Sequence, residues 1–201
     1  MADVERSNAF FGGTRSALHA LRAVIPHLSR TASLLDVGTG VGDVPVRAQA
    51  TAAAASIELT TVGVDAAESL LRVARERHGG VVAADARRLP FADDSFDVVM
   101  CSQLLHHFFG GDARTLVAEL HRVSRGWVVV SDLRRSWIAA AGFWLAAVGL
   151  RFHPVTRHDG VVSVLRGFTP AELDELVTSV TGRRPHVRGS AFWRLSATWS
   201  K

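Results

Sequence analysis

Cysteine is nearly absent from this chain: Cys101 is the only one among 201 residues. That excludes an intrachain disulfide and a zinc site built on cysteines, and it fits a reducing compartment. Lysine is equally scarce. Lys201 is the one lysine, so arginine carries the basic charge. No apolar stretch reaches the ~20 residues that a membrane-spanning helix needs. The opening Met1-Ala2-Asp3-Val4-Glu5-Arg6 has no apolar core and begins acidic, so a signal peptide is not expected and a cytoplasmic setting is. Internal repeats, low-complexity tails and long linkers are missing too. One domain spanning 1–201 is therefore expected.

What is present begins with an ordinary apolar fraction, 48%, enough for a sizeable core. The net charge is +4 and the isoelectric point about 10.7. A basic balance permits binding to nucleic acid or to anionic membranes. The arginines are spread out, often beside acids, and read mainly as solvated helix faces.

The most informative stretch is Leu34-Leu35-Asp36-Val37-Gly38-Thr39-Gly40-Val41-Gly42-Asp43. A short apolar run meets three glycines at alternate positions. Glycine turns tightly and lets a ligand approach the main chain. Such a turn after the first strand of an open α/β sheet is where a nucleotide-like cofactor binds. The dinucleotide pattern G-x-G-x-x-G would want a third glycine at position 43. Asp43 stands there, and its carboxylate would repel a pyrophosphate at a helix N-terminus.

Strand and helix patterns alternate along the chain. Helices are expected over 9–28, 43–55, 67–78 and 112–124. Strands are expected over 33–37, 57–65, 81–85, 96–102 and 127–132. After these come an apolar helix over 136–150, a loop carrying Arg157-His158-Asp159-Gly160, and a capped helix from Thr169-Pro170. Two strand-like runs, 185–190 and 192–199, suggest a hairpin. The expected fold is α/β: a Rossmann-like, doubly wound, mostly parallel seven-stranded sheet with an antiparallel C-terminal edge hairpin.

The pattern D-x-G-x-G-x-G over 36–42 resembles motif I of the class I S-adenosylmethionine-dependent methyltransferases. Three further segments fit in order. Val62-Gly63-Val64-Asp65 ends the second strand in an acid. Ala84-Asp85-Ala86 ends the third, followed by Leu89-Pro90-Phe91. Ser95-Phe96-Asp97-Val98-Val99, then Leu105-His106-His107, is similar to the block in ubiquinone/menaquinone-type methyltransferases. The resemblance covers about 33–132. It implies S-adenosyl-L-methionine as cofactor, whose sulfonium and amino group tolerate nearby carboxylates. It assigns Asp65 to the ribose hydroxyls, Asp85 and the Ala86 amide to the adenine, and Asp36, Gly38, Gly40, Gly42 and Ser102 to the methionine end. Residues 1–30 would form a helical lid, 31–132 the cofactor core and 133–201 the acceptor side.

Methyl transfer from a sulfonium asks mainly for positioning. A base is needed where the acceptor must lose a proton. His107 and His158 are the catalytic candidates, with Asp159 placed to orient an imidazole or to pair with Arg157. His107 is equally open to a structural reading, and His106 is read as structural. The segment around Arg157-His158-Asp159-Gly160 is similar to one in bacterial small-molecule methyltransferases, some of aromatic polyketide or lipid-quinone pathways. Arg157, Trp144 and Phe11 are expected in the acceptor pocket, with Phe10 and Phe11 closing it as a lid. Cys101 is read as a core residue, and no metal site is expected. The uncharged run Trp137–Leu150 is too short to cross a bilayer; its commoner reading is a buried helix, its sharper one a pocket wall or peripheral membrane contact. The expected function is methylation of a small aromatic or lipophilic acceptor, such as a phenol or quinol. One alternative is an RNA methyltransferase, although the N/D-P-P-Y type tetrapeptide is replaced by Ser102-Gln103-Leu104-Leu105 and nucleic acid is not an expected partner. The other is a nicotinamide-dependent oxidoreductase, which Asp43 disfavours.

Overall fold

The computed structural model describes residues 13–78, 80–150, 152–190 and 193–201. Seven strands form one sheet in the order β3-β2-β1-β4-β5-β7-β6. They are β1 (Thr31–Val37), β2 (Glu58–Asp65), β3 (Val81–Ala83), β4 (Phe96–Ser102), β5 (Ser124–Leu133), β6 (His186–Ser190) and β7 (Arg194–Ser200). β1 to β5 run parallel, while β7 pairs antiparallel with β5 and with β6. The expected doubly wound sheet with an antiparallel edge hairpin is the observed one. Leu34, Leu35, Val37, Val98, Val99, Met100 and Cys101 are all fully buried. Central parallel strands are covered on both faces, so they read as unbroken apolar runs.

The helices are α1 (Gly13–Val24), α2 (Asp43–Ala53), α3 (Glu68–His78), α4 (Gly111–Val123), α5 (Trp137–Gly149), α6 (Pro154–Arg166) and α7 (Pro170–Thr181). α1 and α2 bury Ala17, Leu21, Val24 and Ala48 with Leu34, Val98, Met100 and Val129 on one face of the sheet. α4 and α7 bury Leu116, Leu120, Leu173 and Val177 with Leu35, Val37, Val99 and Cys101 on the other. The chain leaves β1 toward β2 and β3, then crosses back to β4. That reversal opens a crevice at the carboxyl ends of β1 and β4, the usual ligand position in such sheets.

Local chemistry explains most boundaries. Thr169 and Glu172 close a capping box at α7, and Ser136 caps α5. The helix expected over 9–28 is α1 followed by a 3₁₀ turn at Ile25–His27, which carries Pro26; its first residues lie outside the described part. β3 is shorter than expected and leaves Asp85 in the following loop.

One expectation is overturned. Arg157-His158-Asp159-Gly160 is not a loop but the first half of α6. Pro154 presets the first turn, and the His153 ring accepts from the Val155 N–H at 3.3 Å. Gly160 serves packing rather than turning. A Cβ built there would sit 2.1 Å from Cε1 of Phe143, so the missing side chain lets α6 close onto α5.

Candidate functional site

The glycine turn closes onto β2 through the main chain. The N–H groups of Gly38 and Thr39 donate to the Val64 carbonyl at 2.8 and 2.9 Å. Gly38, Gly40 and Gly42 all have left-handed φ, +78°, +56° and +78°, where a side chain would strain the backbone. A Cβ at Gly38 would press on Leu104, whereas nothing lies within 4 Å of one at Gly40. Gly40 therefore faces open space. The Asp65 carboxylate accepts from the Gly40 N–H at 2.9 Å and from the Ala67 N–H at 2.9 Å. It braces the turn with one lone pair on each oxygen and keeps the others free.

Beneath the turn lies a set of unsatisfied polar atoms. Asp36 is 1% exposed, and both its carboxylate oxygens lack a hydrogen-bond partner. The Thr39 and Ser102 hydroxyls are buried and unpartnered as well. Along β1 and β4, Asp36 and Ser102 alternate with Val37 and Cys101, so both point to the α1 side of the sheet. Burial pushes the Asp36 carboxyl up to about 7. The Thr39 hydroxyl, nearby but outside hydrogen-bond geometry, opposes this, and the carboxylates of Asp43 and Asp65 reinforce it. Buried polar groups are normally satisfied. Three orphans beside an open glycine turn, with three carboxylates close by, suit a ligand that brings cationic hydrogen-bond donors.

Asp85 lies beyond β3, the neighbour of β2, and the Ala84 N–H donates to the Asp65 carbonyl at 3.1 Å. Asp65 ends β2 and Asp85 follows two residues after the end of the neighbouring β3, so the two acids predicted for sugar and base lie at the carboxyl ends of adjacent strands. Asp85 is half-exposed and engaged: Arg87 donates to it through Nε and through Nη2 at 2.7 Å. Those bonds hold its carboxyl below the usual range. Arg87 also reaches Asp112 at 3.1 Å and lies over the Phe108 ring. The Ala86 side chain packs against the core on the α4 side.

The histidines separate by environment. Leu105–His107 forms a 3₁₀ turn after β4. His106 is buried, donates its backbone N–H to Asp132 Oδ2 at 3.0 Å, and sets Nδ1 2.6 Å from Asp132 Oδ1. The same Oδ1 accepts from the Leu133 N–H at 2.7 Å. The structural reading of His106 fits these bonds. Its partner Asp132 went unread, because in sequence it marks only a strand end. His107 packs against His106 with ring centres 4.1 Å apart and the ring planes tilted by 38°. It lies at the surface; partial desolvation first, then the neighbouring His106, lowers its pKa. Because Asp132 satisfies three groups at once, Asp132→Ala should cost about 3 kcal/mol or more of stability in urea unfolding. A loss under about 1 kcal/mol would show that the turn is held some other way.

The other predicted residues are not gathered at this crevice. Arg157, His158 and Asp159 are successive helical residues whose side chains diverge. No hydrogen bond or ion pair joins them, and His158 and Asp159 are exposed. The Arg157 Nε is buried without a partner. Trp144 lies half-exposed on α5. Phe10 and Phe11 fall outside the described residues. Cys101 is fully buried, and burial raises its thiol pKa strongly, as expected of a core residue. From Phe108 onward a cavity of about 440 Å³ opens between α4, the end of α6 and α7, with Phe109, Leu165, Arg166 and Phe168 in its wall. Among the described residues no helix is long and apolar enough to cross a membrane.

Comparison with known proteins bears directly on this crevice. Residues 35–130 match the methyltransferase domain family. A demethylmenaquinone methyltransferase of Roseiflexus sp. is 34% identical over 118 residues, covering 55% of this chain and 47% of that protein. A ubiquinone/menaquinone biosynthesis C-methyltransferase UbiE of Burkholderia vietnamiensis is 37% identical over 112 residues, covering 52% and 44%. The matched part thus spans about half the length of these relatives. Among solved structures, magnesium protoporphyrin IX methyltransferase of Synechocystis with bound SAH superposes with TM-score 0.67 at 14% identity, over 94% of this chain and 84% of that one. A SAM-dependent methyltransferase from Aquifex aeolicus gives 0.62 at 15% identity, over 89% and 88%. Residues 35–130, a little under half of the chain, thus match a methyltransferase domain, the stretch in which the four linked sequence segments lie.

Proposed function

We propose that this chain transfers a methyl group from S-adenosylmethionine to a small aromatic or lipophilic acceptor, with oxygen or carbon of a phenol or quinol as the receiving atom. The observation that carries the reading is the buried, unpartnered Asp36 carboxylate beside the unpartnered Ser102 hydroxyl under an open glycine turn. An amino acid ammonium and a sulfonium satisfy such a site. A pyrophosphate does not, which also weighs against a nicotinamide cofactor. Bound there, the cofactor supplies a methyl group already activated by its sulfonium.

The chain's own residues then hold and exclude. Asp65 offers its free lone pairs to the ribose hydroxyls while its bonds to Gly40 and Ala67 keep it in place. Asp85 and the Ala86 N–H receive the adenine edge, with Arg87 sharing the Asp85 carboxylate. Asp36 and Ser102 take the methionine end. For an acceptor that must lose a proton, His107 is the better base than His158. Its lowered pKa favours the neutral ring, and it follows β4 in a turn that Asp132 clamps, whereas His158 lies on α6. A neutral imidazole near the working pH is suited to accept a proton. The named activity of the quinone-methylating relatives supports a flat, apolar acceptor.

The test is a thermal shift followed by an acceptor screen. S-adenosylhomocysteine should raise the melting temperature and NAD should not. Phenols, quinols and alkylresorcinols incubated with the donor should gain a methyl by mass. Stabilisation by NAD instead, or methylation of RNA alone, would replace this reading with one of its rivals.

A further inference from the structure

Helix α5 exposes an apolar stripe that no described residue covers. Trp137, Ile138 and Leu145 are 77%, 73% and 64% exposed, and Trp144 and Val148 are exposed beside them. Positions 137, 138, 141, 145 and 148 share one side of a helix at 3.6 residues per turn. The other side, with Ala139, Ala140, Phe143 and Ala147, is buried against α6. Leu150 and, at the start of α6, Val155 are exposed as well. Proteins that remain monomeric in water rarely leave such a contiguous patch uncovered.

The distribution of charge says what covers it. Between Leu133 and Gly167 stand five arginines, at 134, 135, 151, 157 and 166, and one acid, Asp159. The chain has 23 basic and 19 acidic residues, so eighteen of each lie elsewhere. In sequence the net charge of +4 therefore falls in the two-helix segment that carries the apolar stripe, with Arg135 paired to Glu172 of α7. A second copy of this chain would bring the same cation excess to the contact. A layer of anionic headgroups over hydrocarbon complements both features at once. α5 has 13 residues, about 20 Å at 1.5 Å per residue, against the ~30 Å of a hydrocarbon core. It can lie along a membrane and cannot cross one. Tryptophan, apolar with a single N–H, suits that boundary.

We propose that α5 docks the protein on anionic membranes, with Trp137, Ile138 and Leu145 entering the acyl boundary and the exposed Arg134 just before the helix meeting the headgroups. This surface is independent of the methyl-donor crevice, so the two readings stand or fall separately.

Flotation of the full chain with phosphatidylcholine vesicles, with and without phosphatidylglycerol, tests it. The chain should float with the anionic vesicles and remain behind with the neutral ones, and added salt should release it. Combining Trp137→Ser with Leu145→Ser should weaken binding about tenfold or more. Ile138→Asn alone should weaken it less, and a near-ultraviolet circular dichroism melt should show both variants folded. Arg134→Gln should reduce the preference for anionic lipid while leaving α5 intact. The proposal fails if neither vesicle binds, if neutral and anionic vesicles bind alike, or if a folded double variant binds like wild type. It fails equally if the wild type self-associates in solution and the double variant does not, because a second copy would then be the occupant.

Discussion

Asp36→Asn should stabilise the ligand-free protein at pH 8 and cripple donor binding. The Asp36 carboxyl titrates near 7 in the folded chain, against 3.8 for the free group. Burial raises it, since the charged form has lost its water. Below pH 4 the proton is held in both states and the site costs little. As pH rises toward 7 the unfolded chain has released the proton while the folded chain retains it, so stability falls with pH. Above 7 the penalty is constant. Some three pH units at 1.36 kcal/mol each put its ceiling at about 4 kcal/mol. A buried amide keeps unsatisfied groups of its own, worth about 1–3 kcal/mol. The net gain expected for Asp36→Asn at pH 8 is therefore about 1–3 kcal/mol, or several degrees in melting temperature. At pH 4 the variant should gain nothing. Urea melts of both proteins across this range measure the difference, and the difference cancels the opposing contribution of Asp97, which Arg125 holds down at about 2.

Donor affinity should run the other way. A cationic ligand end favours the ionised carboxylate. Wild-type affinity should rise with pH until about 7, with proton release on binding, and then level off. Asp36→Asn should bind weakly at every pH. Titration calorimetry in buffers of different ionisation enthalpy reads both quantities. Wild-type affinity that is flat with pH, or a variant that binds as well as the parent, would remove Asp36 from the cofactor site.

The second large effect is expected at Asp65. Asp65→Ala deletes the acceptor proposed for the ribose and the brace on Gly40 and Ala67. Hydrogen bonds to a charged group are worth about 1.5–3 kcal/mol each. Losing two toward the sugar should raise the dissociation constant of S-adenosylhomocysteine by about two to four orders of magnitude, at 1.4 kcal/mol per tenfold. Asp65→Asn keeps one acceptor and should lose less. A folded Asp65→Ala protein that binds within threefold of wild type would refute the sugar role.

How much could be read beforehand differs from residue to residue. The glycine turn and the Asp65 position were legible because strand length, glycine conformation and crevice location are short-range consequences of local sequence. The segment 157–160 misled because glycine beside polar residues usually marks a turn. Here Gly160 instead yields space to Phe143, a residue on another helix. Asp132 stayed hidden for the same reason: its partner His106 is 26 positions away, and only the pairing of β4 with β5 brings their ends together. The strain that burial puts on Asp36 is likewise absent from any local pattern.

Chain order and residue type alone determined the alternating architecture, the methyltransferase resemblance and the concentration of net charge between Leu133 and Gly167, since each is a property of neighbours along the backbone. Tertiary structure decided that α5 turns tryptophan to solvent, that Asp36 and Ser102 lie without partners under the turn, and that Asp132 anchors the histidine turn. Burial, desolvation and long-range hydrogen bonding exist only once distant segments share a face of the sheet, and no spacing rule supplies them.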